Sequence, residues 1–295
     1  MSITTARSSA PPWRRLRRAI QPLVLLTPAG LWLLLLLVMP TVLIFELSMV
    51  PGLRPEDPIE NYGMGNYLRI LEPVYLQVMA RSLYYAAGAT LACLLAGFPV
   101  AYWIALMAPK RWRTLLLVVF ILPLWTSSLL RAYAWITILR PSGVLNTALA
   151  ALGLPGQGWL NDSPAVLIGL TYSYLPYMVL ILYASLEKLD QLLLEASADL
   201  GATPRQTFFR ITVPQSLPGI VAGALLVFIT SMGDFVVPEL LGGASSMTIP
   251  RLIYNQFLGA ARNWGFGSAL SIVLIVAVSL AIALLLRFGD RQSTV

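Results

Sequence analysis

The chain has 295 residues, of which 58% are apolar and only 11% charged; soluble domains carry roughly 45–50% and about 25%. So little charged side chain cannot cover a water-exposed surface, so the expected surroundings are lipid, which tolerates an apolar exterior. The absence of histidine, the lone Cys93 and the lack of a Gly-rich phosphate loop around Lys110 or Lys188 exclude a Ser-His-Asp triad, a His-containing zinc site, a disulfide framework and a resident nucleotide site. The formal charge of +7 does not indicate nucleic acid, because the arginines flank apolar runs instead of lining one face of a soluble module. Any ATP-driven work belongs to another chain.

Residues 1–21 read as a tail, disordered over its first dozen positions, which are rich in Ser, Thr, Ala and Pro. Arg14-Arg15 does not mark a signal peptide, because the apolar run that follows is too long and lacks a small-residue cleavage site. Six stretches of about 20 apolar residues follow: Pro22–Ser48, Ser82–Met107, Thr114–Leu139, Pro164–Leu186, Leu217–Leu240 and Gly267–Leu286. The expected fold is therefore an all-α integral membrane protein with six transmembrane helices over residues 22–288 and a short tail at 289–295.

Orientation follows from where Arg and Lys cluster. Arg7, Arg14, Arg15, Arg17 and Arg18 precede the first span, and Lys110, Arg111 and Arg113 fill the short link between spans two and three. Lys188, Arg205 and Arg210 lie between spans four and five; Arg287 and Arg291 follow span six. With six crossings all these segments share one side, so both termini are expected in the cytoplasm. The opposite loops, 49–80, 140–163 and 241–266, are longer and rich in Pro, Gly or acids. Trp159 and Trp264 there suit interfacial anchoring.

The loop at 188–216 is the most informative segment. Asp190 suits the cap of a short helix through Leu192–Leu200, and Gly201 its left-handed end. Thr203, Pro204 and Gln206 have the spacing of a capping box, and Pro214 is expected to stop the second helix. Leu194, Phe208, Phe209 and Ile211 are available for apolar contact. From physics alone, such a hairpin either plugs into a cytosolic partner or lies flat on lipid.

Glu195-Ala196-Ser197, then Gly201, Ile211, Val213 and Pro214, resembles the EAA signature of ABC importer permeases: EAA, three residues, Gly, nine residues, I-x-L-P. Ser197 and Val213 depart from it by small changes in volume. The resemblance implies a type I importer permease fold and a coupling surface of Glu195, Ala196, Ser197, Ala198, Asp199, Gly201, Ala202, Arg205 and Phe208. That surface would dock on a cytosolic ABC ATPase dimer, which binds the ATP and Mg; no cofactor is expected in this chain. The resemblance also implies a periplasmic substrate-binding protein and a second, homologous permease subunit, expected to form a heterodimer with this chain in a bacterial inner membrane. The stretches 122–135, 171–190 and 233–243 are similar to the first-type permease of spermidine/putrescine importers, although permeases for opines and amino-acid-like solutes look alike.

The spans contribute their own evidence. Asp234 lies about 25 Å along span five and Tyr174 about 15 Å into span four, at ~1.5 Å per residue. Thr230 and Ser231 are expected to share a face with Asp234, as Tyr177 does with Tyr174; Trp125, Ser128 and Trp135 should form a stripe in span three. Aromatic faces with a carboxylate suit an alkyl diammonium. Arg131 lies at a depth similar to Asp234, so the two could instead form a structural pair, and the aromatic stripes could be packing. Glu46 and Glu239 are expected to be solvated. A membrane enzyme acting on lipid-linked substrates would need clustered acids at the interface. A scaffold would bind an ATPase without transporting a solute.

Overall fold

The computed structural model describes residues 26–59 and 61–290, and every regular element among them is helical. The expected N-terminal tail, the first residues of span one and the end of the C-terminal tail lie outside the described residues. In chain order the elements are α1 (Leu26–Ser48), α2 (Gly65–Ile70), α3 (Pro73–Met107), α4 (Lys110–Trp125), α5 (Ser128–Leu139) and α6 (Val144–Ala151). They continue as α7 (Ser163–Leu186), α8 (Gln191–Asp199), α9 (Pro204–Met232), α10 (Val236–Leu241), α11 (Ile249–Phe257) and α12 (Trp264–Asp290). The helices α1, α3, α7, α9 and α12 are long and apolar enough to cross a membrane, and α4 with α5–α6 completes six crossings when counted as one broken span.

Three expectations need correction. Span three is not one helix: α4 and the segment from Ser128 to Ala151 differ in direction by 93°. Pro123 lies just before the break, and Thr126 and Ser127 leave the helical conformation, with Thr126 Oγ1 donating to the Pro123 carbonyl at 2.7 Å. Span five ends at Met232, and Gly233–Phe235 separates it from α10. Pro214 does not stop a helix. A π turn at Phe208–Thr212, closed by Val213 N–H donating to Phe208 O, precedes it, and the wider turn absorbs the missing proline N–H. Helices α3 and α12 also outrun their expected spans: α3 starts at Pro73, and α12 runs from Trp264 into the expected C-terminal tail.

The interior is built around α3, α7 and α9. Cys93, Phe98, Ile104, Met178, Leu182 and Val227 form one buried cluster between them. Small residues set the close approach of α7 and α9. A Cβ at Gly219 would collide with the Ser185 side chain, and one at Gly223 would sit 2.7 Å from Met178 Sδ. A second cluster joins α5, α7 and α10 through Leu139, Val166, Leu170, Val237 and Leu241. Helix α1 is exposed over nearly its whole length, as a lipid-facing Leu-rich helix can be, and packs on α12. Its end is held by buried Asn66 of α2, whose Nδ2 donates to the Ser48 and Val50 carbonyls at 2.9 and 3.0 Å.

Candidate functional site

Two sites lie toward opposite ends of α9. The first is the α8–α9 hairpin, and its local chemistry follows the sequence closely. Asp190 caps α8, with its Oδ1 accepting from Leu192 N–H at 2.9 Å. Gly201 has φ +77°, and the N–H groups of Gly201 and Ala202 return to the carbonyls of Ala198 and Ser197, closing the helix in a Schellman-type turn. Thr203 and Gln206 form the reciprocal capping box at the start of α9.

The hairpin divides its residues into two groups. Glu195, Ala196, Ala198, Asp199, Gly201 and Arg205 are exposed, and Ala202 is half-buried. Ser197 and Phe208 are not outward contacts. Ser197 is buried, its hydroxyl donating to the Leu194 carbonyl and bonding Thr207 Oγ1 at 2.9 Å, which ties α8 to α9. Phe208 turns into the bundle, edge-on to Phe98 and Tyr102 at 5.7 and 5.6 Å. Leu194 and Ile211 are half-buried. The apolar surface the hairpin offers is instead Leu192, Leu193, Leu200 and Phe209, with Leu200 88% exposed and Arg205 over the Phe209 ring. The leucines were visible in the sequence as apolar positions on the outer side of a helix too short to bury both faces.

The second site is a cavity of about 460 Å³ at the break between α9 and α10. Ser128, Tyr174, Tyr177, Thr230, Asp234 and Phe235 border it. The Asp234 carboxylate divides its duties: Oδ1 accepts from Val236 and Val237 N–H at 2.8 and 3.3 Å and so caps α10, while Oδ2 accepts from the Tyr174 hydroxyl at 3.0 Å. Tyr174 also reaches the Thr230 carbonyl, and the Tyr177 ring lies 6.3 Å from that of Tyr174. A carboxylate flanked by aromatic rings in a membrane can neutralise and surround an organic cation.

Three of the expected binding residues fall elsewhere or change partners. Ser231 is buried on the other side of α9, bonded to the Phe228 carbonyl, because the helix ends before Asp234 and the two do not share a face. Trp125 is 82% exposed and outside the cavity, because the 93° break parts it from Ser128; Trp135 borders a separate recess. Among the described residues Asp234 and Arg131 form no ion pair. Glu239 is not simply solvated but pairs with Arg251, and Glu46 accepts from Tyr62 at 3.0 Å. Of the anchoring tryptophans, Trp159 packs against the α5–α7–α10 cluster, while Trp264 donates to the Phe257 carbonyl. Phe235 is a cavity residue the sequence reading missed. It stacks on Tyr254 of α11 at 5.1 Å, a long-range contact with no local signature beyond its place after Asp234.

Comparison with known proteins agrees with this architecture. The family model described as "Binding-protein-dependent transport system inner membrane component" matches residues 97–292. The spermidine/putrescine transport system permease protein PotB of Salmonella typhimurium (strain SL1344) is 42% identical, over 90% of this chain and 93% of its own. The PotB of Escherichia coli (strain K12) is 43% identical over 84% and 90%. A solved bacterial ABC transporter involved in importing the acidic polysaccharide alginate superposes with a TM-score of 0.78 at 20% identity, covering 95% of this chain and 98% of that one. The chain belongs to the binding-protein-dependent transport system inner membrane components, as a multi-pass, non-catalytic permease subunit of the ABC importer type.

Proposed function

We propose that this subunit forms half of the translocation pathway for a polyamine of the spermidine/putrescine class. The observation that carries this reading is the Asp234 carboxylate, which opens with Tyr174 and Tyr177 into a cavity bounded by the spans. The kinship with the PotB permeases points to the same solute class. An alkyl diammonium would exchange its hydration for the Asp234 charge and the tyrosine faces.

The proposed partners are a cytosolic ATPase dimer, a second homologous permease and a periplasmic binding protein. The exposed α8 residues Glu195, Ala196, Ala198 and Asp199, with Leu200 and Phe209 beside them, offer the ATPase a small apolar and acidic knob. ATP and Mg would be bound by that partner. The clustering of Arg and Lys supports a cytoplasmic hairpin and cytoplasmic termini, and on that reading the Asp234 cavity would lie toward the outer half. Closing of the ATPase dimer would move the hairpin and open the spans toward the binding protein; hydrolysis would return them.

The test is ATP-dependent uptake of radiolabelled putrescine and spermidine into right-side-out vesicles or proteoliposomes that hold all subunits, with ATP inside and the binding protein outside. Uptake competed by diamines but not by amino acids supports the reading. Uptake of an anionic or zwitterionic solute, unaffected by Asp234→Asn, overturns it.

A further inference from the structure

A recess between α5 and α7, separate from the cavity, holds an arginine with no counter-charge. Arg131 lies in the first turn of α5, and the recess of about 320 Å³ is walled by Thr126, Leu130, Ala134, Trp135 and Tyr172. Tyr172 is nine residues into α7, so the recess is about 14 Å below the start of that helix at ~1.5 Å per residue. Arg131 Nε and Nη1 are buried and have no hydrogen-bond partner. Trp135 and Tyr172 meet edge to face at 5.4 Å and make one wall aromatic. Leu130, which lines the recess, is 67% exposed.

No acid of this chain answers that charge among the described residues. Asp234 is committed to Tyr174 and to the α10 cap, Glu239 to Arg251, Glu46 to Tyr62 and Asp162 to the Ser163 N–H. An unpaired guanidinium in a low-dielectric span is costly, and arginines at such depth pair with something. Here it would also repel a cationic solute in the neighbouring cavity. A carboxylate across the mouth relieves both by answering the guanidinium charge at close range.

We infer that the Arg131 recess is a socket for an Asp or Glu side chain of the second permease subunit. The inference rests on the reading of this chain as half of a two-permease pathway. A lipid phosphate fits less well, because headgroups lie at the interface and the recess sits well below it. The recess also shares α5 and α7 with the cavity, and that face of the pathway must be closed by protein if solute is not to meet lipid.

The experiment uses the complete importer with its second permease and ATPase. A photo-crosslinking phenylalanine at Leu130 should give an adduct with the second permease, mapping to a segment that contains Asp or Glu. Arg131→Glu should then cut uptake by about tenfold or more, and replacing the mapped acid by Arg in the same background should restore it. Adducts to lipid alone, adducts to a segment without an acid, or wild-type uptake by Arg131→Met each overturn the socket. The crosslink is read without altering Arg131, so poor folding of a charge variant does not mask the result. If the unaltered importer shows no ATP-dependent uptake, the transport reading itself fails; lipid-only adducts in an active importer sink the socket alone.

Discussion

The Tyr174 hydroxyl donates to Asp234 Oδ2 at 3.0 Å, joining the middle of α7 to the break between α9 and α10. The other carboxylate oxygen caps α10, so one side chain both holds the break in shape and presents a charge to the cavity. Asn can cap a helix as well as Asp. Asp234→Asn should therefore keep the fold while lowering uptake of putrescine by about 10–100-fold, the equivalent of about 1.5–3 kcal/mol for a charge-assisted contact. Asp234→Ala should add a loss of about 1 kcal/mol of stability, seen as a lower Tm in detergent.

Gly201 has φ +77° in open surroundings, so backbone conformation rather than space restricts that position. Gly201→Val should cost about 1–3 kcal/mol locally and reshape the α8–α9 turn. Membrane insertion should be unchanged, while substrate-stimulated ATPase activity of the assembled importer is lost. Gly201→Asn, which tolerates the left-handed region, should retain part of that stimulation.

The Ser197–Thr207 hydroxyl bond ties the hairpin without facing outward. A double-mutant cycle of Ser197→Ala and Thr207→Ala should give a coupling of about 0.5–1.5 kcal/mol. Limited trypsinolysis at Arg205 and Arg210 should speed up in either single variant, with little further change in the double. Strict additivity would mean that the bond contributes nothing.

A methyl added at Gly223 meets the flexible end of Met178, whereas larger groups meet the α7 surface itself. Gly223→Ala should cost about 1 kcal/mol or less and Gly223→Leu about 1–3 kcal/mol or more, read as successive drops in Tm of the solubilised subunit.

How much was legible depended on whether the determinants were local. The hairpin could be read residue by residue because Asp190, Gly201, Thr203 and Gln206 act on backbone within three positions of themselves. The Tyr174–Tyr177 face also followed from spacing within one unbroken helix. The helix breaks did not. Thr126-Ser127 and Gly233-Asp234 sit inside apolar runs whose composition is that of a continuous span, yet each interrupts it. Face spacing along straight helices therefore put Ser231 beside Asp234 and Trp125 beside Ser128. Pro214 misled in the opposite sense, because nothing local announces a π turn. Ser197 and Phe208 were expected on the outer surface of the hairpin, but tertiary packing turns them inward.

The π turn before Pro214 leaves α9 unbroken for 29 residues, from the hairpin at Pro204 to Met232, two residues short of Asp234. At ~1.5 Å per residue that is about 43 Å of continuous backbone hydrogen bonding. No hinge loop lies along it to absorb a displacement. A push delivered at the turn around Gly201 is thus carried by a lever whose far tip adjoins the acid, and the carboxylate's grip on Tyr174 is the joint that such a stroke would strain first.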